Sequence, residues 1–166
     1  MSRSVTVNIL FCGTGGQGVL KASDVCGWAA MLNGYQVKKS EVHGMAQRGG
    51  SVESHLRFGK KVFSPLIPRG EADYLVALHK KEHERLKACL KPQGIDLIND
   101  LREGEKIFVN KSYLNTFLLG VLSRYLPIQK ENWIKALEIS FPSKNREENV
   151  MAFLQGRSSC FTGTEK

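Results

Sequence analysis

A glycine-rich segment near the N-terminus, Gly13-Thr14-Gly15-Gly16-Gln17-Gly18, constrains the fold of this chain more than any other feature. Before it, Val5–Cys12 is rich in β-branched residues and almost continuously apolar toward its end, which predicts a central parallel strand covered on both faces. After it, apolar residues recur at helical spacing from Val19 to Leu32, and Asn33-Gly34 is a helix stop signal. A second strand is predicted to begin at Tyr35. The segment therefore predicts one right-handed βαβ unit with a glycine turn after its first strand.

The rest of the sequence predicts an α/β domain. Ser51–Phe58 alternates polar and apolar residues and, with the short β-like piece Lys61–Phe63, predicts a β-hairpin. Parallel strands are predicted over 72–78 and 94–99, a further strand over 106–109, and helices over 80–90, 114–125, 133–139 and 146–155. We expect residues 1–166 to form one domain, because this length fits a single core. The predicted fold is a three-layer α/β/α Rossmann-like domain, with a mostly parallel sheet and an antiparallel hairpin.

Charge and composition limit the classes of partner. The net charge of +8 favours an acidic partner, such as a phosphate-rich cofactor, an acidic protein or a nucleic acid. The charged run His79–Lys87 interleaves glutamates with its basic residues, which is typical of a solvated helix face and disfavours nucleic acid. No apolar stretch approaches the length of a membrane span, and the polar Asn8 precedes any signal-like run, so a soluble, cytoplasmic protein is expected, without membrane contact.

The cysteines argue against a redox cluster or a metal site on this chain. Cys12, Cys26, Cys89 and Cys160 are scattered and form no pair with the spacing of zinc or iron–sulfur ligands. Cys12 falls in the predicted first strand and Cys26 in the helix that follows, where buried free thiols are common. We therefore expect no metal ligands here, and scattered thiols fit a reducing compartment.

The glycine segment is a candidate phosphate site. Glycines between a strand and a helix allow close approach of a ligand to backbone N–H groups, and the helix N-terminus favours negative charge. The candidate cofactor-binding residues are Gly13, Thr14, Gly15, Gly16, Gln17, Gly18, Lys38 and Lys39. The lysine pair stands where an NAD site would place an acidic residue, and it suits an extra phosphate, as on NADP or coenzyme A. The alternatives are a turn that is glycine-rich only for packing and a solvated strand end.

A second polar segment, Ser40–Gly50, contains a carboxylate, an imidazole, an amide and a guanidinium between glycines. Polar side chains on a loop at the carboxyl edge of a parallel sheet are where α/β domains usually hold ligands. The candidate catalytic residues are Glu41, His43, Gln47 and Arg48. The alternative for Glu41 and His43 is an ordinary hydrogen-bonded pair.

Together the two segments resemble the beta subunit of indolepyruvate:ferredoxin oxidoreductase, which is related to the gamma subunit of pyruvate and 2-oxoglutarate:ferredoxin oxidoreductases. The resemblance continues through Gly50–Arg57, Ser64–Asp73 and Asn115–Gly120 and covers most of the chain. Between Asn99 and Asn115 this sequence is shorter than the resemblance predicts.

The resemblance implies a subunit that is inactive alone and completes an enzyme for oxidative decarboxylation of a 2-oxoacid, either an aryl pyruvate such as indolepyruvate or pyruvate. Thiamine diphosphate and iron–sulfur clusters would belong to partner subunits, electrons would pass to ferredoxin, and coenzyme A would capture the acyl group with its phosphates at the glycine segment. In the shared active site Arg48 would hold a carboxylate or phosphate, and His43 and Gln47 would orient substrate. Glu41 would fix the tautomer of His43.

Two other functions fit parts of the sequence. An autonomous NADP- or flavin-binding enzyme fits the glycine segment, although no second, substrate-binding domain is evident. A non-catalytic nucleotide-binding module fits the basic charge and the absence of a self-sufficient catalytic set. Cofactor titration and the presence or absence of an oxidoreductase partner would separate these possibilities.

Overall fold

The computed structural model describes residues 5–44 and 49–159. The strands are β1 (Val7–Thr14), β2 (Gln36–His43), β3 (Ser51–Gly59), β4 (Ala72–Ala77) and β5 (Leu90–Asp96). The helices are α1 (Val19–Leu32), α2 (Lys80–Leu86), α3 (Ile98–Ile107), α4 (Leu114–Ser123), α5 (Lys130–Ser140) and α6 (Ser143–Ser158), with 3-10 turns at Lys87–Cys89 and Lys111–Tyr113.

The strands form one five-stranded sheet in the order β2-β3-β1-β4-β5. β1 is parallel to β4 and β4 is parallel to β5, while β3 is antiparallel to both of its neighbours, β1 and β2. All strands except β3 therefore run in one direction. The predicted α/β fold, with a mostly parallel sheet and an antiparallel hairpin, is confirmed.

The predicted hairpin partner is wrong. β3 forms its hairpin with β2, in the register Lys38↔Arg57, and Lys61–Phe63 is not a strand. In this segment the Val62 amide donates to the Gln36 side-chain oxygen at 2.6 Å instead of joining a ladder. The β1-α1-β2 unit also differs from a simple βαβ unit, because β3 lies between its two parallel strands.

Alternate residues of the central strands face two helical layers. Ile9, Phe11 and Val76 pack in the large core with α1, α4, α5 and α6. Leu10, Leu75 and Ala77 face the opposite side, where Leu86 of α2 covers them. The predicted range of α1 is confirmed, and no helix within the described residues is long and apolar enough to cross a membrane.

Two predicted strands near the middle of the chain are wrong in position. β5 ends at Asp96, whose carboxylate accepts a hydrogen bond from the Ile98 amide at 3.0 Å and so favours the start of α3. The segment 106–109 includes the end of α3 and continues to Phe108, which packs edge-on against the Phe117 ring at 5.5 Å. Of this segment only Phe108 packs against the core, whereas Ile107 and Val109 are exposed, and the segment does not extend the sheet.

The α4 and α6 helices touch through their backbones. A Cβ atom at Gly120 would lie 2.7 Å from the Arg157 nitrogen and would collide with the Phe153 carbonyl. One at Gly156 would collide with the Phe117 carbonyl. These contacts are with main chain, which cannot rotate away, so both positions require glycine.

We predict that Gly120→Ala lowers the free energy of unfolding by about 2–3 kcal/mol, because α4 and α6 must separate. Gly27→Ala is the control: Gly27 is also helical and buried, but its Cβ would make ordinary contacts at 3.5 Å to Leu56 and 3.7 Å to Val37. That control should be neutral or stabilising by about 0.5–1 kcal/mol. Urea denaturation measures both, and equal effects would contradict the backbone contact.

Candidate functional site

The sheet has a crevice between the carboxyl ends of β1 and β4. The chain leaves β1 toward α1 on one face of the sheet, whereas it leaves β4 toward α2 on the opposite face. Neighbouring parallel strands whose connections diverge in this way leave a gap at their carboxyl ends, and open α/β sheets bind ligands there. The glycine segment, Gly13–Gly18, forms one wall of this crevice.

The backbone of the glycine segment requires glycine at specific positions. Gly16 and Gly18 have φ angles of +89° and +78°, in the left-handed region that residues with a Cβ rarely adopt. A Cβ at Gly16 would meet no atom within 4 Å, so the peptide is open to the crevice. Gly18 is the N-cap of α1 and has no side chain to occupy the first N–H groups of the helix. The loop therefore leaves backbone donors accessible.

Gln17 holds the two walls of the crevice together. Its side-chain oxygen accepts a hydrogen bond from the Thr14 amide at 2.8 Å, and its side-chain nitrogen donates to the Leu78 carbonyl at 2.9 Å. Both polar atoms of this side chain are thus bonded to main chain. Gln17 was predicted as a cofactor-binding residue, and the structure gives its side chain a positioning role.

Asn115 connects the glycine segment to α4. Its side-chain nitrogen donates to the Gly18 carbonyl at 3.2 Å, and its oxygen accepts from the Thr116 amide at 2.8 Å. The buried Thr116 hydroxyl in turn hydrogen-bonds the Asn149 side-chain oxygen on α6 at 2.7 Å. Asn115 begins the Asn115–Gly120 segment that is part of the family resemblance, and its contact with Gly18 fixes the position of the glycine segment.

Two cavities flank the glycine segment. The first, of about 470 Å³, lies in the crevice and is lined by Gly16, Gln17, Gly18, Leu78, His79, Lys80, Glu105, Asn110, Lys111, Ser112, Leu114 and Asn115. The second, of about 410 Å³, lies on the other side of the loop and includes His43 and Lys21. Both volumes fall in the range of small-molecule sites.

The crevice contains cations that sequence reasoning missed. Lys80 lines it with its ammonium group 3.8 Å from the Glu105 carboxylate, and Lys111 lines it from the 3-10 turn before α4. Lys80 belongs to the charged run that was interpreted as a solvated helix face. The sequence contained a signal for Lys80, because this residue lies two positions after the predicted parallel strand 72–78, where ligand-binding loops lie. Lys111 offered no such local signal.

Glu41 and His43 lie at the end of β2, on the far side of β3 from β1. Lys39 contacts Glu41 at 2.6 Å, and this hydrogen bond lowers the pKa of the Glu41 carboxyl. The His43 Nε2 atom is 3.6 Å from Glu41, which is longer than a hydrogen bond. His43 is half exposed and lines the second cavity.

The structure does not bring Lys38 and Lys39 to the glycine segment. Lys39 pairs with Leu56, which pairs with Ile9, so this lysine lies roughly 16 Å along the strand direction before Thr14 at about 3.3 Å per residue. Lys39 is bound to Asp24 of α1 and to Glu41, and Lys38 contacts the Phe63 carbonyl at 3.5 Å. These contacts account for the pair without a phosphate.

Gln47 and Arg48 lie outside the described residues. The residue that follows their segment on the C-terminal side is placed next to the glycine segment: the Gly15 amide donates to the Gly50 carbonyl at 2.9 Å. The Gly44 amide donates to the Ser51 carbonyl at 2.7 Å and closes the hairpin. The two segments that the sequence singled out are therefore joined by a backbone hydrogen bond.

A polar network lies under the crevice on the α2 side of the sheet. Glu82 is buried and accepts hydrogen bonds from Ser51 at 2.8 Å and from Arg85 at 2.7 Å, and Arg85 also reaches Glu53 at 3.3 Å. Burial alone would raise the pKa of Glu82, but the hydrogen bonds from Arg85 and Ser51 outweigh it and lower that pKa. Arg85 thus pairs with both carboxylates beneath the ends of β1 and β3 and offsets part of their negative charge.

Two of the four thiols are buried in the core, where burial makes them unreactive. Cys12 and Cys26 are buried, as predicted, and burial raises the pKa of Cys12 to about 12 and that of Cys26 still further. Cys89 is half-buried, and Cys160 lies outside the described residues. Within the described residues no group of three or more His, Cys, Asp or Glu side chains is arranged as a metal site.

Comparisons with known proteins agree with this architecture. The family model for pyruvate ferredoxin/flavodoxin oxidoreductase matches residues 8–159. Indolepyruvate oxidoreductase subunit IorB of Thermococcus kodakarensis is 32% identical, and the match covers 90% of this chain and 93% of the relative. That alignment runs over 188 positions, more than the 166 residues of this chain, so the relative has residues that this chain lacks.

Two solved structures share the fold. The keto/oxoacid ferredoxin oxidoreductase gamma subunit of Geobacter sulfurreducens has a TM-score of 0.73 at 25% identity and covers 90% of this chain and 95% of its own. The 2-oxoglutarate:ferredoxin oxidoreductase of Magnetococcus marinus, solved with 2-oxoglutarate, coenzyme A and succinyl-CoA bound, has a TM-score of 0.77 at 19% identity. This chain corresponds to 31% of that one, and the match covers 94% of this chain. The family model and the full-length match to IorB show that this chain belongs to the pyruvate ferredoxin/flavodoxin oxidoreductase family, as an oxidoreductase subunit.

Proposed function

We propose that this chain is the small subunit of a cytoplasmic 2-oxoacid:ferredoxin oxidoreductase and that its crevice binds the phosphates of coenzyme A. The substrate would be an aryl pyruvate such as indolepyruvate, or pyruvate. Partner subunits would carry thiamine diphosphate and the iron–sulfur clusters that pass electrons to ferredoxin. The names of the curated relatives support the reaction class, and the Magnetococcus enzyme of the same fold was solved with coenzyme A bound.

The observation that carries this proposal is the open glycine segment at the crevice between β1 and β4. Gly16 faces empty space, and the N-terminus of α1 is not capped by a side chain. Backbone N–H groups and the helix dipole attract phosphate at such a position. Lys80 and Lys111 add positive charge to the same cavity, and the net charge of +8 favours an anionic ligand.

These residues fit a phosphate-bearing cofactor by their chemistry. The donors of the glycine segment would bind one phosphate, and the two lysines would contact others from the facing wall. When bound, coenzyme A supplies the thiol that accepts the acyl group. In this proposal the chain does not act on the oxoacid by itself: it binds and orients coenzyme A and closes the active site of the partner.

The loop between β2 and β3 would face that shared site. His43 lines the second cavity, and Gln47 and Arg48 follow it in a segment that leads to Gly50, whose carbonyl is bonded to the Gly15 amide. Arg48 would hold a carboxylate or phosphate through its planar fork, and Gln47 and His43 would orient substrate. Glu41, which is charged and bound to Lys39, would orient His43.

Replacing Gly16 by alanine should raise the KM for coenzyme A about tenfold or more, because the added Cβ enters the space that a phosphate would use. The matched control is Gly34→Ala at the other end of α1, where φ is +91° and a Cβ would also meet no atom within 4 Å. Both variants carry the same left-handed strain of about 1–2 kcal/mol. Acyl-coenzyme A formation by the assembled complex measures the difference, and equal KM values would remove the loop from the site.

Lys111→Ala should weaken coenzyme A binding roughly tenfold to hundredfold, as expected for loss of a hydrogen bond to a charged group. Titration calorimetry with coenzyme A and with dephospho-coenzyme A would identify which phosphate the lysine meets. The control, Lys135→Ala, removes the same charge from an exposed site on α5. Equal coenzyme A affinities in the two variants would show that Lys111 contributes only to the overall positive charge and makes no specific contact with the cofactor.

Arg48→Ala should reduce the efficiency of oxoacid or coenzyme A turnover about tenfold to hundredfold, since a charge-assisted contact contributes about 1.5–3 kcal/mol. Folding and subunit association should be nearly unchanged, because loop side chains seldom stabilise a core. Arg48→Lys should restore only part of the activity, since an ammonium group cannot form the bidentate fork. Steady-state kinetics and thermal melting of the complex would test this prediction. Normal turnover in Arg48→Ala would show that the loop between β2 and β3 has only a packing role.

A further inference from the structure

The outer edge of β2 is an open strand edge. β2 is the terminal strand of the sheet and runs unbroken for 8 residues. The Gly44 amide bonds the Ser51 carbonyl, and residues two apart along an antiparallel strand repeat that direction. Ser40 and Val42 therefore bond inward to β3, while the N–H and C=O groups of Val37, Lys39, Glu41 and His43 point outward, where no strand of the described residues receives them.

The two edge strands of the sheet, β5 and β2, differ in how readily they can pair with a further strand. β5, at the other edge, contains Pro92 and an irregular register against β4, and such features discourage pairing with another strand. β2 contains no proline, and its register against β3 is regular from Gln36 to His43. A long regular edge of this kind is a template for a further strand.

Large apolar side chains flank this edge. Asp24 of α1 contacts Lys39, and Trp28 and Met31 follow four and seven residues later on the same side of the helix. They are 42% and 53% exposed. On the opposite face of the sheet Val42 is 45% exposed, and Phe63, whose carbonyl is 3.5 Å from the Lys38 ammonium, is 80% exposed. Exposed apolar groups on both sides of an open edge indicate a protein interface.

We infer that β2 pairs antiparallel with β2 of a second copy of this chain, about a two-fold axis that passes through Ser40. In this register Lys39 of one copy lies opposite Glu41 of the other, and Val37 lies opposite His43. These are the residues whose backbone groups point outward, so each opposed pair exchanges two hydrogen bonds. The interface goes beyond the proposed function: it involves neither the crevice nor coenzyme A, and it gives Glu41 and His43 a second role besides the one proposed for them toward the shared site.

The charges of Lys39 and Glu41 favour one register of the strand pair and a second copy of this chain as the partner. An axis through Lys39 would place the two Lys39 side chains opposite each other, and an axis through Glu41 would do the same with the two glutamates. Opposed like charges destabilise a strand pair, whereas opposite charges stabilise it. The Ser40 axis avoids both clashes and uses the whole strand. The edge is therefore complementary to itself, which favours a second copy over an unrelated strand.

The helices also match this arrangement. α1 lies over the boundary between β2 and β3, since a Cβ at Gly27 would be 3.5 Å from Leu56 and 3.7 Å from Val37. Strands lie about 4.8 Å apart, so the β3 strands of the two copies would be roughly 14 Å apart across the axis. The α1 helices of the two copies then face each other, and Trp28 and Met31 from each can fill the space between them. Burial of these side chains adds to the strand pairing.

The register is tested by cysteine cross-linking of the full chain, with Cys89 and Cys160 replaced by serine. Two Ser40 residues on the axis form a non-hydrogen-bonded pair with Cα atoms about 4.5 Å apart, within disulfide range. Two Val42 residues would be about 13 Å apart. Under mild oxidation Ser40→Cys should give at least about tenfold more disulfide-linked dimer than Val42→Cys, which is the control on the same face of the same strand. Equal yields, or none from Ser40→Cys, would overturn the register.

Sedimentation equilibrium at physiological ionic strength gives an independent measurement. The unmodified chain should contain a dimer, and Met31→Glu should weaken its association at least about tenfold by placing charges in the apolar contact. Met151→Glu is the matched control, because Met151 is 65% exposed on α6, away from β2. A monomer at all concentrations, or equal loss in both variants, would overturn the proposal, and it would do so without affecting coenzyme A binding.

Discussion

The crevice depends on one amide side chain. Where β1 and β4 end, their connections diverge, and main-chain groups of both strands would otherwise lack partners away from bulk water. Gln17 satisfies the Thr14 amide and the Leu78 carbonyl with its two ends, so it fixes the spacing of the strands and the path of the glycines. A shorter or apolar side chain would leave two half-buried polar groups unpaired, at about 1–3 kcal/mol each. The open backbone at Gly16 depends on this bridge.

A second constraint follows from placing an antiparallel strand inside the sheet. β3 is paired along both of its edges, and its two faces lie under different helical layers, yet its sequence alternates like that of a half-solvated strand. The structure resolves this by packing Leu56 and Phe58 in the main core and covering the polar face with Glu82 and Arg85 of α2. His55 accepts a hydrogen bond from the Ile67 amide at 3.1 Å and anchors the next loop. The polar face is therefore a partly buried hydrogen-bonded network, with Glu82 at its buried end and Arg85 at its exposed end.

Features of the fold that depend on local sequence pattern could be predicted from the sequence. The range of α1 followed from periodicity and its Asn-Gly stop, and the glycine segment followed from its place between strand and helix. The partner of β3 could not be predicted, because period-two alternation is the same whichever strand lies alongside. Lys111 was missed because it meets the glycine segment only through the tertiary fold, and the role of Asn115 was missed for the same reason. The strand predicted over 94–99 instead ends at Asp96, because the Asp96 carboxylate accepts a hydrogen bond from the first residue of α3. Hydrophobic periodicity contains no information about such a contact.

The backbone contact between Gly120 and α6 affects the order in which the parts of the crevice form during folding. α4 carries Asn115 to the glycine segment, every residue of α4 is buried, and α6 covers the side of α4 that contains Gly120. During synthesis from the N-terminus, the glycine segment leaves the ribosome early, whereas the helix that holds it in place is covered only after Ser158 has been made. The position of the glycine segment thus depends on a helix that is made more than a hundred residues later, so the crevice has its final shape only once α6 has packed on α4.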